Sequence, residues 1–374
     1  MLDLRRLDWR LTFILDFILV LAFVLLGVGP ILSVVLAEII MWLVRLVWLS
    51  PMMLRFILRR LVHMVPIIII VIAIGFGLIQ LAPGDIFTQM ALNPNVRPDD
   101  LENLRSNFGL DRPWYVQFVL YIWNALRGDF GFSENFKAPV FVLVQQRAAN
   151  TILLSLTALL LAWGFSIPAG VFAATHQYKA GDQAISVLAF IGLAIPNFFL
   201  AFLLIYLVSS TGLPLPIGGM SSVDSADMGV IGRTLDLARH MIIPVVVLGT
   251  SAMASLTRIM RANMLEIMNQ QYIVTARAKG QEERKVVYRH ALRNAINPMI
   301  TILGFQLGNI MSGAALVENV TAWPGLGRLI LQALLTQDTY LVVGSLIYGV
   351  VLLVIGNLIA DILLAVVDPR VRIG

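Results

Sequence analysis

A basic segment between two long apolar runs carries the residue pattern most suggestive of a binding role. Residues 271–300 read QYIVTARAKGQEERKVVYRHALRNAINPMI. Small residues alternate there with cations, as in Thr275, Ala276, Arg277, Ala278, Lys279 and Gly280, and Arg284 and Lys285 follow. Small side chains let another protein approach the backbone closely, and the charged groups keep the segment out of lipid. The pattern predicts a docking loop in water.

Motifs for catalysis or nucleotide binding are missing from the sequence. No GxxxxGK[ST] segment occurs, so the chain lacks the cradle that holds nucleotide phosphates. HExxH and GxSxG are absent too, and the histidines are dispersed near predicted span ends, at His63, His176, His240 and His290. The chain has no cysteine, which excludes disulfides and thiolate metal sites. We expect no ATP hydrolysis by this chain alone, no cofactor and no metal centre.

Composition places the chain in a membrane. Its 374 residues are 59% hydrophobic and 13% charged, and the mean hydropathy is +0.85. The apolar runs are continuous instead of alternating, which favours helices over barrel strands. Each run is about as long as a helix that crosses a ~30 Å hydrocarbon core. Six spans are predicted, near residues 62–81, 151–174, 184–208, 241–257, 295–317 and 341–366.

The placement of basic residues indicates which loops stay in the cytoplasm. Arg55, Arg59 and Arg60 precede the first span, eight Lys and Arg residues lie from Arg258 to Arg293, and Arg370 and Arg372 follow the last span. An even number of predicted spans separates these clusters. We therefore expect the docking loop and both ends of the six-span core in the cytoplasm. The net charge of +5 then reflects topology and not nucleic-acid binding.

Residues 1–52 form a hydrophobic extension whose role stays open. Two apolar runs, at 11–28 and 31–49, are separated by Gly and Pro residues. They fit a hairpin that crosses twice, a signal-like or interfacial segment, or sequence upstream of a start at Met53. The predicted organisation continues with the first span and an external loop region at 53–145. The remaining spans and the docking loop occupy 146–374.

Two external segments have distinctive patterns. Pro113 and Gly128 bracket a short helix whose apolar face is Trp114, Phe118, Tyr121, Ile122 and Leu126. That face predicts contact with the outer membrane surface or, alternatively, a small soluble core. Between spans five and six, a tight turn is predicted to belong to an external gate or to a simple interfacial loop, at Trp323, Pro324 and Gly325.

Polar residues within the spans are candidates for a translocation path. Polar groups in a bilayer face protein or a water-filled cavity. The candidates are Asn197, Gln306, Asn309 and Asn357; hydrogen bonds between helices are the alternative interpretation. Pro196 predicts a kink in span three. A stripe of small residues in span five is assigned to helix packing, at Gly304, Gly308 and Ser312.

The docking loop resembles the cytoplasmic EAA-type motif of binding-protein-dependent ABC importer permeases, in the dipeptide, oligopeptide and nickel branch. TARAKG at 275–280 carries the match, and the resemblance extends from about Met53 to the C terminus. Its other parts are RGDFGFS at 127–133, AIPNFF at 194–199, WPGLGRL at 323–329 and DPRVR at 368–372. The chain departs from the general motif at Val274, which stands in place of Glu. It departs from the peptide branch at residues 281–283, because Leu-Ser usually follows the glycine there.

This resemblance implies an all-α polytopic membrane protein with the type I ABC importer permease fold, six core transmembrane helices and an N-terminal hydrophobic extension. Residues 272–292, called the elbow below, would be a helix ending at Gly280, a turn with positive φ, and a second helix. The implied ATPase-coupling residues are Tyr272, Thr275, Ala276, Arg277, Ala278, Lys279 and Gly280. Implied partners are a homologous permease, two ABC ATPases that bind ATP and Mg, an extracytoplasmic solute-binding protein and membrane lipid.

The implied function is that of a permease subunit in the plasma (inner) membrane of a prokaryote, forming half of the path for a peptide-like solute. Nickel, an oligosaccharide or an opine are alternative solutes for the same class. An ion-coupled secondary transporter is the alternative class, and it usually carries charged residues near the bilayer midplane. No such constellation of carboxylates is evident in the sequence. A membrane scaffold, which transports nothing, is a third alternative.

Overall fold

Helices make up nearly all of the chain that the structure describes. The computed structural model describes residues 51–81, 112–133, 135–300, 302, 306 and 315–367. Its main α-helices are α1 Pro51–Leu81, α2 Trp114–Leu126, α3 Val140–Thr175, α4 Ala180–Ala194, α5 Asn197–Thr211, α6 Val230–Met268, α7 Gln271–Ala278, α8 Ala315–Val320, α9 Leu326–Leu335 and α10 Thr339–Val367. A two-residue antiparallel pair precedes α3, with β1 Phe132–Ser133 and β2 Ala138–Pro139. The predicted all-α membrane fold is confirmed.

The membrane-crossing helices match most of the predicted spans. In the described residues, α1, α3, α6 and α10 contain windows long and apolar enough to cross, at Leu58–Leu78, Val140–Thr175, Val230–Met268 and Thr339–Leu358. Helices α4 and α5 pass the same test only as a pair, which makes up to five spans. The predicted span at 295–317 and the extension at 1–52 lie mostly outside the described residues.

The third predicted span is broken and not merely kinked. Helices α4 and α5 meet at 104°. Ile195 and Pro196 between them are both extended, with ψ values of 119° and 137°. Proline disfavours helical geometry in the residue before it and supplies no backbone donor. Two consecutive extended residues therefore break the helix, whereas a proline inside a continuous helix would only bend it.

Helices α3 and α6 pack along each other and form the central pair of the bundle. Gly170 allows their close approach, because a Cβ at that position would lie 2.6 Å from the Cβ of Met260. Along α3, Thr151 contacts the first residue of α9, whereas Ala174 packs against the elbow. These two residues are about 35 Å apart at 1.5 Å rise per helical residue. The elbow and the turn at 323–325 therefore lie at opposite ends of the bundle.

The predicted apolar face of α2 is divided between two environments. Phe118 and Tyr121 pack on Phe76 of α1, with ring centroids 5.3 and 5.8 Å apart. Trp114 and Leu126, by contrast, are each 68% exposed. The helix ends as the sequence predicted, because Gly128 has a φ of +83°.

Candidate coupling site at the basic elbow

The elbow begins with α7 and turns at a glycine. Gly280 has a φ of +70°, a conformation that glycine adopts at little cost. Its amide donates to the carbonyl oxygen of Arg277 at 2.9 Å, and the amide of Gln281 donates to that of Ala276 at 3.3 Å. These bonds supply donors to carbonyl oxygens that would otherwise have no hydrogen-bond partner at the end of the helix. The predicted turn with positive φ is confirmed, although the helix ends two residues earlier than expected, at Ala278.

The second part of the elbow, called the return arm, contains three consecutive helical segments. These are Glu283–Lys285, a π-helix at Val286–Ala291 and an α-helix at Leu292–Ala295. The predicted second helix is thus confirmed, but the π turn was not anticipated. A π turn holds one more residue than an α turn. Val286, Val287 and Ala291 are all buried on the inner face of the arm.

The inner face of the elbow packs on both central helices. Ile273 and Ala276 of α7 join the buried residues of the return arm in one cluster, called the elbow core. Their partners are Val171 and Ala174 of α3 and Leu256, Met260 and Met264 of α6. Ile273 is fully buried, which contributes about 1.5–3 kcal/mol of hydrophobic stabilisation. Displacement of the elbow must therefore displace the attached ends of α3 and α6.

The outer face carries most of the predicted docking residues. Tyr272 is 43% exposed, and Thr275, Arg277, Ala278, Lys279 and Gly280 are exposed as well. Ala276 differs, because it is only 8% exposed and belongs to the elbow core. Its small side chain serves close packing within the chain.

Polar contacts brace the two parts of the elbow against each other. Arg277 donates to the Glu283 carboxylate from Nη2 at 2.7 Å and from Nε at 3.1 Å. This pairing lowers the pKa of Glu283 and raises that of Arg277. His290 Nε2 lies 2.8 Å from Gln281 Oε1. Two of the residues that depart from the family pattern, Gln281 and Glu283, therefore have structural partners in this chain.

The predicted path residues do not form a common site in the described part of the chain. Gln306 accepts a hydrogen bond from Trp163 Nε1 at 3.0 Å, which favours the interhelical alternative for this residue. Asn197 is half-buried at the start of α5, and Asn357 is exposed on α10. No hydrogen bond joins these three side chains among the described residues. Asn309 and the small-residue stripe lie outside them.

At the opposite end, the predicted gate turn is anchored in the protein interior. Trp323 is fully buried beside Leu154 and Met241, so its ring faces protein and not lipid. Its Nε1 donates to the carbonyl oxygen of Asn150 at 3.1 Å. The Asn150 side-chain amide donates to the carbonyl oxygen of Pro324 at 2.9 Å. The turn is therefore fixed to the beginning of α3 by reciprocal bonds.

Glu318 completes this anchor, called the corner (residues 318–328) below, and was missed by sequence reasoning. Its fully buried carboxylate accepts from Thr151 Oγ1 at 2.6 Å and from the amide of Arg328 at 3.1 Å. Thr151 in turn accepts from the amide of Leu326 at 2.7 Å. A Cβ on Gly325 would collide with this carboxylate. Burial raises the pKa of Glu318, although these hydrogen bonds oppose the shift.

Two more carboxylates fix loops at the same end. Asp338 accepts from Ser133 Oγ at 2.5 Å and from the amide of Leu341 at 3.1 Å. Asp236 accepts from the amide and the hydroxyl of Ser222 at 2.8 and 2.5 Å. These contacts anchor loops by hydrogen bonds. In the described ranges, no group of three or more His, Cys, Asp or Glu residues is arranged to hold a metal ion.

Comparison with known proteins agrees with this architecture. Residues 166–373 match the family described as binding-protein-dependent transport system inner membrane component, and residues 53–161 match its N-terminal companion. The chain is 40% identical to the oligopeptide transport system permease protein AppB of Bacillus subtilis, over 85% of this chain and 99% of that protein. It is 36% identical to the dipeptide transport system permease protein DppB of Escherichia coli K12, over 86% and 99%. The di/tripeptide transport system permease protein DppB of Pseudomonas aeruginosa is 34% identical, over 86% and 99%. The chain belongs to the family of inner membrane components of binding-protein-dependent transport systems.

Proposed function

We propose that this permease is one of two homologous membrane subunits of an ATP-driven importer and that its elbow binds an ABC ATPase. The observation that carries the proposal is the division of the elbow into two faces. One face packs on α3 and α6, whereas the other exposes Tyr272, Arg277 and Lys279 to a partner. ATP and Mg would bind to the partner, because this chain has no GxxxxGK[ST] motif.

The elbow is built to transmit movement as a rigid body. Its core joins it to α3 and α6, and the ion pair of Arg277 with Glu283 braces its turn. Closure of the ATPases would shift the elbow and with it the attached ends of both helices. At their other ends these helices contact Trp323, through Leu154 and Met241. Movement would thus reach the corner and switch access to the path.

The remaining assignments follow from the family and the distribution of charge. The elbow end is assigned to the cytoplasm because basic residues concentrate there. The corner then faces outward, where an extracytoplasmic solute-binding protein would deliver the solute. A peptide is the proposed cargo because the relatives are named as oligopeptide, dipeptide and di/tripeptide permeases.

The first test is copurification of the full chain with its partners in mild detergent, before and after Gly280→Pro. Proline cannot adopt the φ of +70° found at Gly280, and it removes the amide that donates to Arg277. Gly212→Pro is the matched control, because Gly212 ends α5 with a φ of +66° and open space around it. We expect two ATPases and a second permease with the wild type and with Gly212→Pro. Gly280→Pro should lose the ATPases while the chain remains inserted in the membrane.

Two results would contradict the proposal. Retention of the ATPases and of ATP-driven uptake by Gly280→Pro would exclude the elbow as the coupling element. Solute transport by the purified chain alone, driven by an ion gradient, would place it among secondary transporters.

A further inference from the structure

Helix α4, which is the first half of the broken span, contributes no described residue to the elbow core. No residue of α4 belongs to that cluster among the described residues, whereas α3 and α6 both contribute to it. Movement of the elbow therefore reaches α4 indirectly, through the four-residue turn at 176–179 that joins it to α3 and through its packing against neighbouring helices. The break of 104° at Pro196 frees α4 from following α5 as one continuous rod.

The seam between α4 and α6 contains a bidentate ion pair at the elbow end. Arg261 donates to Asp182 from Nε at 2.6 Å and from Nη2 at 2.8 Å. The Asp182 side chain is only 4% exposed, and that of Arg261 is 27% exposed. The same carboxylate accepts from the amide of Tyr178 at 2.9 Å. Two parallel bonds from a planar guanidinium fix orientation as well as distance.

The position of this pair relates it directly to the elbow. Arg261 follows Met260 in α6 and lies three residues before Met264, and both methionines belong to the elbow core. Farther along the seam, Arg258 lies over the ring of Phe190 at 4.8 Å from its centroid. The bidentate ion pair of the seam therefore lies next to the part of α6 that the elbow holds.

We propose that Asp182 and Arg261 are positioning residues that make α4 move with the elbow during transport. Without the pair, the elbow still moves α3 and α6, but α4 no longer keeps its position against α6, so ATP hydrolysis continues with less transport. This inference rests on the proposed function of the elbow. It assigns the alignment of α4 with α6 to one ion pair, a contact that lies outside the elbow core.

The test measures the distance between α4 and α6 in the assembled complex. The chain has no native cysteine, so Gln183→Cys on α4 and Glu266→Cys on α6 can each carry a spin label on an exposed side chain. Distances are recorded by pulsed electron paramagnetic resonance without nucleotide and after trapping with ATP and vanadate. We expect one unchanged distance in both states for the wild type. Asp182→Asn should shift or broaden the distance in the trapped state.

Arg261→Lys and the exchange Asp182→Arg with Arg261→Asp extend the test. Lysine keeps the charge but not the bidentate geometry, so Arg261→Lys should again broaden the distribution of label distances. The exchange should restore the wild-type distance. Asp236→Asn is the control, since this buried carboxylate also accepts two hydrogen bonds but lies at the opposite end of α6. It should leave the labelled distance unchanged.

In proteoliposomes with the solute-binding protein, Asp182→Asn should lower tripeptide uptake per ATP by about tenfold, a typical size for coupling between sites.

The outcomes separate this inference from the proposed function. A complex that contains the ATPases but gives the same distances for Asp182→Asn and wild type would overturn the role of the pair and leave the elbow assignment standing. A wild-type chain that copurifies with no ATPase would overturn the proposed function itself, and the inference with it.

Discussion

Glu318 and Glu283 both lie near a tight turn, yet the structure gives their carboxylates opposite chemistry. Glu283 is exposed and paired with Arg277, which lowers its pKa. Glu318 is fully buried and accepts bonds from a hydroxyl and a backbone amide, and burial raises its pKa. A buried carboxylate in such a network fixes its neighbours most strongly when every donor is in place. Glu318 therefore determines the shape of the corner, whereas Glu283 only braces the turn of the elbow.

The raised pKa of Glu318 gives a prediction for pH dependence. Its folded-state pKa lies above the ordinary value of 4.5, so its protonated form favours folding. That contribution is fully present below pH 4.5 and is lost as the pH rises through the folded-state value. The Tm of the wild type minus the Tm of Glu318→Gln should therefore decrease from acidic to neutral pH.

Glu283→Gln is the control for this measurement. The lowered pKa of Glu283 gives the opposite sign, so any stabilisation is present above its ordinary value and is lost as the pH falls. The side chain is 59% exposed, so solvent screening should keep its effect small. A difference in Tm for Glu318→Gln that does not vary with pH would refute the assignment.

At the scale of elements, the elbow is held by apolar packing on one face while its other face stays free. Buried positions in α7 are three residues apart, at Ile273 and Ala276, which is the spacing of one helical face. The π turn lets the return arm bury Val286, Val287 and Ala291 together. The cations between these positions are consequently directed away from the bundle. Local helix geometry thus produces both the anchor and the exposed basic surface that we propose binds an ATPase.

The anchor predicts a local loss of stability when its central side chain is shortened. Ile273→Ala removes buried methyl groups from the elbow core and should cost about 2–4 kcal/mol in elbow docking. Hydrogen exchange should then become faster across residues 271–295. Val274→Ala, on the neighbouring position that is 50% exposed, should change exchange little. Equal acceleration by both variants would mean that the buried face does not hold the elbow.

Periodic and turn-forming features of this fold could be predicted from the sequence, whereas contacts between distant residues could not. Apolar run length predicted α1, α3, α6 and α10, and the glycines at 128 and 280 predicted helix ends with positive φ. Asp182 and Arg261 are separated by 79 positions, and Thr151 and Glu318 by 167. Such pairs leave no local period in a sequence. The buried environment of Trp323 likewise depends on helices that the turn itself does not specify.

At the scale of the whole molecule, α3 and α6 each connect the two functional ends. Leu154 of α3 and Met241 of α6 pack with Trp323, and Val171 and Met264 of the same helices pack with the elbow. Because packed helices resist compression along their axes, displacement at one end is felt at the other. The corner is fixed by buried hydrogen bonds and the elbow by apolar contacts. Between these two ends, the sharpest break in the described chain is the 104° bend between α4 and α5.

This two-ended arrangement predicts that exposed residues at its ends lie on opposite sides of the membrane. Without native cysteines, Tyr178→Cys at the elbow end and Val223→Cys at the corner end each supply a single thiol. Tyr178 is 78% and Val223 98% exposed. A membrane-impermeant maleimide should label Val223→Cys in intact spheroplasts but label Tyr178→Cys only after permeabilisation, since basic residues concentrate at the elbow end. Labelling of both from outside would mean that the central helices do not cross the bilayer, and the reverse pattern would place the elbow out of reach of ATP. Only the expected pattern puts the docking surface where an ATPase can act and the corner where a solute can arrive.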